Sequence, residues 1–270
     1  LVAVNEAGTS SVRRVPLIAG NWKMNLDHLQ SIAVVQKLAW TLKDAGHDFG
    51  AVEVAVFPPF TDLRSVQTLV AADKLPIAFG GQDVSEHDSG AYTGEIAASF
   101  LAALEARYVI IGHSERRTLH NETDEQVAAK TAQAVKNGIS PIVCVGETAE
   151  DLEKHGASAV PVAQLRAALA GIDSAADFVV AYEPVWAIGS GQAATPEQAE
   201  QVAAALRAVI AEALGDEVAA KTRILYGGSV KSGNIAGFMR ETNVDGALVG
   251  GASLDVAEFA AIIRYQKHVI

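Results

Sequence analysis

FVVAYEPV, residues 178–185, runs through five apolar or aromatic side chains before it meets a carboxylate at Glu183 and a proline at 184. The run lacks the apolar–polar alternation of a strand with one wet face. It reads instead as a parallel strand covered on both sides. Upstream, SPIVCVGE (140–147) has the same character, and downstream so does RILYGG (223–228). Between 185 and 223, Thr195-Pro196-Glu197-Gln198 combines an N-cap, a proline at the first helical position and a capping box. The local unit is therefore strand, helix, strand.

Extended outward, the unit recurs. PLIAGNW (16–22), VEVAVFPP (52–59), PIAFGGQDV (76–84), YVIIGHSE (108–115) and GALVGG (246–251) complete a set of eight runs. Helical stretches separate them. Thr123-Asp124-Glu125-Gln126 is another capping box, and Asn137-Gly138 closes that helix. Ser253 reads as the N-cap of the last helix. Eight strand–helix units match an α/β fold of the (β/α)8 TIM barrel type, eight parallel strands surrounded by helices. A doubly wound sheet more often has fewer strands. Residues 16–270 read as a single barrel domain, and 1–15 as a flexible N-terminal extension whose apolar start is too short for a signal-peptide core.

The 270 residues carry 32 acidic and 21 basic side chains, a formal charge of −11. That balance works against nucleic-acid binding, so any anionic ligand needs local devices such as helix N-termini or a placed lysine. No apolar run approaches the roughly 18 residues a membrane helix needs. The single cysteine, Cys144, excludes an internal disulfide and fits a reducing, cytoplasmic setting. Neither HExxH nor paired cysteines occur, so no metal is expected. GSGQAA (189–194) matches a dinucleotide fingerprint, but no acidic residue ends the next strand where the fingerprint requires one, so no cofactor is expected.

A barrel of this kind carries its active site at the carboxyl ends of its strands. There the sequence places Asn21 and Lys23, His113-Ser114-Glu115, Glu183, Gly227-Gly228-Ser229 and Gly250-Gly251. The set fits proton transfer beside a carbonyl. A glutamate among Tyr182, Val185, Trp186 and Ile188 is expected to be partly desolvated, which raises a carboxyl pKa and strengthens the base. A neutral histidine and an ammonium can stabilise a developing oxyanion, and glycine turns can cradle a phosphate. Two alternatives stay open: a Schiff-base aldolase using Lys23 on the same barrel, and a non-catalytic phosphate-binding barrel.

AGNWKMN (19–25), GAYTGEI (90–96), IGHSERR (111–117), AYEPVWAIGSG (181–191), YGGSV (226–230) and LVGGASL (248–254) together resemble the triosephosphate isomerase family. The resemblance spans Pro16 to about residue 266. It implies aldose–ketose isomerisation of glyceraldehyde 3-phosphate and dihydroxyacetone phosphate through an enediolate, in glycolysis and gluconeogenesis, with no cofactor. It implies Glu183 as the base, His113 as the electrophile, and Lys23 with Asn21 as the cationic group. Ser114 and Glu115 become supporting residues, and Gly189, Ser229, Gly250 and Gly251 hold the substrate phosphate. Segment 184–194 becomes a closing lid. The resemblance further implies a homodimer in which DSGAYTGE (88–95), with Thr93, enters the partner. Gly81, Ser190 and Gln192 depart from residues common in the family.

Overall fold

The computed structural model describes residues 14–188 and 193–267. Eight strands form one closed parallel barrel in sequence order: β1 (Leu17–Asn21), β2 (Glu53–Phe57), β3 (Ala78–Gly81), β4 (Tyr108–Ile111), β5 (Ser140–Val145), β6 (Val179–Tyr182), β7 (Arg223–Tyr226) and β8 (Gly246–Val249). Register is continuous around the seam, where Leu17–Gly20 of β1 face Gly246–Val249 of β8. The helices on the outside are α1 (His28–Asp44), α2 (Phe60–Asp73), α3 (Ala98–Ala103), α4 (Ser114–Leu119), α5 (Asp124–Lys136) and α6 (Ala149–His155). They continue as α7 (Ala159–Leu169), α8 (Pro196–Leu214), α9 (Asp216–Lys221), α10 (Ile235–Phe238) and α11 (Val256–Ile263). The (β/α)8 architecture expected from the sequence is the one observed.

The unbroken apolar runs have a direct cause. Alternate residues of each strand enter two separate cores, because successive side chains point to opposite faces. Leu17, Ala19, Phe57, Ile110, Ile142, Cys144, Val179, Ala181 and Leu225 fill the barrel interior. Ile18, Val56, Ile111, Val143, Val145, Val180 and Ile224 instead pack against the helices. Each fully buried valine, leucine, isoleucine or phenylalanine among them contributes roughly 1.5–3 kcal/mol. The strands are shorter than the apolar runs that announced them. The run 76–84, for example, contracts to Ala78–Gly81, because glycine and apolar residues continue in composition after the ladder has ended.

The capping boxes at Thr123 and Thr195 form as expected, with Gln126 and Gln198 returning the bond. Ser253 does not cap the last helix. It lies within a 3-10 turn, Gly251–Leu254, and Asp255 caps α11 by accepting from the N–H groups of Ala257 and Glu258. Arg14, counted with the flexible extension, is anchored: it bonds Asp245 at 2.5 Å and the carbonyls of Ala220 and Thr242. Residues 1–13 lie outside the described part.

The amino ends of the strands are closed by a polar knot. Tyr108 donates to Glu53 at 2.8 Å, and Arg223 donates both to Glu53 (2.6 Å) and to the Tyr108 hydroxyl (2.7 Å). A cavity of about 930 Å³ opens beneath it. Glu53 accepts from Arg223 and pairs with Arg107, so the carboxylate at the centre of this foot is already engaged.

Candidate active site

At the carboxyl ends of the strands a second cavity, of about 450 Å³, collects Asn21, Lys23, His113, Glu183, Ser229 and Gly250 among its walls. Strand alternation alone accounts for Glu183. Val179 and Ala181 face the barrel interior, so the next residue but one turns its carboxyl toward the mouth. Its backbone N–H extends the ladder to the Val145 carbonyl at 2.8 Å. Two glycines make room for it. A Cβ on Gly146 would stand 1.7 Å from the Glu183 carbonyl oxygen, and one on Gly227 would stand 2.9 Å from Glu183 Cγ.

His113 reaches the mouth by a different route. Continued alternation after Val109 and Ile111 would send it outward, but Gly112 adopts φ +69, a left-handed turn that redirects the chain. His113 then becomes the N-cap of α4, its Nδ1 accepting from the Glu115 N–H at 3.2 Å. Nε2 lies 3.0 Å from Glu183 Oε1. The other carboxylate oxygen, Oε2, accepts from the Ser114 N–H at 2.9 Å. Glu183 is only 2% exposed and His113 only 6%, so the pair is held away from bulk water.

Burial raises the Glu183 pKa, but His113, the Ser114 N–H and Lys23 together bring it below the ordinary carboxylate value. The sequence led us to expect a raised value, and in this arrangement the opposite holds. Desolvation acts as expected, but the His113 and Ser114 donors and the nearby Lys23 charge outweigh it. For His113, burial lowers the pKa while the facing Glu183 carboxylate raises it further, leaving the net above the ordinary value. A second ring proton would have to sit on Nδ1, where the Glu115 N–H already points. That bond favours the neutral ring with its hydrogen on Nε2, aimed at Glu183.

Lys23 follows β1 with φ +54, a left-handed conformation that costs a non-glycine residue roughly 1–3 kcal/mol. Its N–H donates to Asn21 Oδ1 at 3.0 Å, and its ammonium reaches Glu115 Oε1 at 2.5 Å. Asn21 and Glu115 therefore orient Lys23 from two sides. Opposite, β7 ends in Gly227-Gly228-Ser229 and β8 in Gly250-Gly251, where a 3-10 turn begins at Gly251. Backbone N–H groups at such a turn suit an anion, and Lys231 adds a second cation to the wall.

Thr93 stands apart from this cavity, in a loop whose residues 88–95 are all exposed. Gly189, Ser190 and Gln192, with the rest of the proposed lid's tip, lie outside the described residues. The residues flanking that stretch are described. Trp186 Nε1 donates to Glu147 at 2.8 Å, as does the Tyr182 hydroxyl at 2.9 Å, and Ala194 N–H donates to the Tyr226 hydroxyl at 3.1 Å. Four positions of weight here were missed in the sequence: Gln82, Gly146, Glu147 and Tyr226. Gly146-Glu147 ends an apolar run much as Glu183 does, which was a usable signal. Gln82 carried none.

Among the described residues no cluster of three or more His, Cys, Asp or Glu side chains could hold a metal ion. No described helix is long and apolar enough to cross a membrane.

The family model for triosephosphate isomerase matches residues 16–266. A Corynebacterium glutamicum triosephosphate isomerase is 58% identical over 251 residues, covering 92% of this chain and 96% of its own. A Streptomyces avermitilis triosephosphate isomerase is 55% identical over 94% of this chain and 98% of its own. One from Mycobacterium tuberculosis is 53% identical over 92% and 95%.

Proposed function

The chain belongs to the triosephosphate isomerase family, and from that premise we propose how its mouth carries out the isomerisation. The protein is an aldose–ketose isomerase that interconverts glyceraldehyde 3-phosphate and dihydroxyacetone phosphate, a step of glycolysis and gluconeogenesis. The observation that carries the assignment of roles is the 3.0 Å approach of His113 Nε2 to Glu183 Oε1, inside a cavity also walled by Lys23 and the glycine turns.

Glu183 takes the proton from the carbon beside the carbonyl, and the electron pair moves onto the carbonyl oxygen as an enediolate. His113 Nε2–H donates to that oxygen, and Lys23 supplies positive charge. His113 also relays the hydroxyl proton of the first carbon to the former carbonyl oxygen, and Glu183 returns the carbon-bound proton to the former carbonyl carbon, so the new carbonyl forms with no net oxidation. The resting contacts set the order of events. Ser114 and His113 hold Glu183 at low basicity until it turns toward substrate. Freed from those donors it keeps its burial, which raises its pKa, opposed only by the Lys23 charge. The same movement removes the group that raised the His113 pKa and leaves the burial that lowers it, favouring a neutral electrophile.

Ser229, Gly250 and Gly251 bind the substrate phosphate through their N–H groups, joined by Gly189 of the lid. A Schiff-base route is disfavoured because Lys23 is 28% exposed and ion-paired with Glu115 at 2.5 Å, where such a lysine must be neutral. The working unit is a cytoplasmic homodimer, with the 88–95 loop and Thr93 placed at the partner's mouth. Glu183→Gln keeps the shape of the side chain but not the base. We expect turnover in a coupled assay to fall by at least ~10²-fold, and a near-wild-type rate in a clean preparation would remove Glu183 as the base.

A further inference from the structure

We propose that Gln82 is a positioning residue for the reaction, acting by holding the Lys23 backbone in the conformation that presents its ammonium to the substrate. Gln82 lies just beyond β3 and touches no reacting atom. Its Nε2 donates to the Lys23 carbonyl at 2.7 Å and to the Phe57 carbonyl, the last residue of β2, at 2.9 Å. Both amide hydrogens are therefore spent on one rigid strand end and one strained residue. Lys23 has φ +54 and is not a glycine, so this conformation persists only if its surroundings hold it there.

The hold is bilateral. Asn21 Oδ1 engages the Lys23 N–H at 3.0 Å and Gln82 engages the Lys23 carbonyl, so the residue is gripped on both sides of its Cα. Beyond the backbone, the side chain leads to the Glu115 ion pair, and its Cε passes 3.5 Å from where a Cβ on Gly250 would be. Glu115 steers the ammonium but cannot set the backbone from which it extends. A rotation of the left-handed residue would swing Nζ away from the Gly250 turn. The two donors must come from one neutral amide: a carboxylate at position 82 would place negative charge against two carbonyl oxygens, and a thioether would offer no donor.

The proposal rests on the reading of Lys23 as the cation that faces substrate, and the experiment separates the two. Gln82→Met, Gln82→Glu, Lys23→Met and the double variant Gln82→Met/Lys23→Met are compared for kcat/KM and for competitive inhibition by inorganic phosphate. Thermal midpoints and masses serve as controls for folding. We expect Gln82→Met to lower kcat/KM about 10-fold or more and to weaken phosphate inhibition, with Gln82→Glu worse. In the Lys23→Met background the same change should cost less than about twofold, because the group it positions is gone. Equal losses in both backgrounds, or wild-type phosphate affinity in a folded Gln82→Met, overturn the positioning role. If Lys23→Met alone leaves turnover and phosphate affinity intact, it is the reading of Lys23 that fails.

Discussion

Ser114 enters the site through its backbone N–H, which accounts for part of the low proton affinity of the resting Glu183. It is also the first residue of α4, where proline is tolerated because that N–H has no helical partner. The residue before it, His113, has φ −52 and ψ 141, extended values that a following proline accepts. Ser114→Pro therefore removes one donor from Glu183 with little cost to the helix. The donor stabilises the ionised carboxylate, so its loss moves the carboxyl pKa upward. In the pH profile of kcat/KM, which reports the free enzyme, the acid limb should shift to higher pH. An unshifted limb in a folded variant would show that the Ser114 bond does not set the basicity of Glu183.

The elements that sequence displayed best were those with local causes. Parallel strands were legible because two cores demand apolar side chains on both faces. α5 and α8 were legible because Thr123 and Thr195 carry their caps beside them. Glu183, His113 and Lys23 stood out because each is polar where an apolar run stops. What stayed hidden depends on approaches between distant segments. Gly146 is required by the carbonyl of Glu183, and Gln82 by a carbonyl 59 positions away. The low basicity of Glu183 needed the Ser114 donor, 69 positions off, to be seen. Asp255 displaced Ser253 as the cap of α11 because a 3-10 turn intervenes. The cap of α8 gives a prediction at this scale. Thr195 Oγ1 accepts from the Gln198 N–H at 3.2 Å, and Thr195→Ala should cost ~1 kcal/mol, or about 2–4 °C in thermal midpoint for a protein of this size. The adjoining Ala194–Tyr226 bond does not use the threonine side chain. Isomerase activity at 25 °C should therefore be unchanged, and calorimetry showing no loss of midpoint would discount the cap.

Across the whole molecule, the two ends of the barrel have divided roles. The foot ties its charges into mutual pairs, Glu53 with Arg223 and Asp245 with Arg14 and Arg207, and so closes the structure. The mouth leaves Lys23 and the glycine turns facing a cavity. Beside the mouth the surface changes character. Met24, next to Lys23, is 95% exposed, and Tyr92 and Phe100 in and after the 88–95 loop are 45% and 58% exposed. Gln82 binds the Lys23 carbonyl, so the loop bearing Met24 and the segment leaving β3 emerge side by side. The loop itself is braced, with Lys136 paired to Asp88 at 2.8 Å and His87 stacked on Tyr92 at 3.7 Å. A braced, exposed, partly apolar projection suits a self-complementary contact between two copies. A stable contact of this kind buries on the order of 1,000 Å² or more in total. Light scattering at micromolar concentration should therefore return about twice the 28.2 kDa of one chain. Replacing Tyr92 and Phe100 together by aspartate should shift the mass toward a single chain and lower activity with it, since the loop then no longer braces a partner's mouth. A single-chain mass for the unaltered protein would remove Thr93 from the working site. A monomeric double variant with full activity would show that each mouth is complete without its partner.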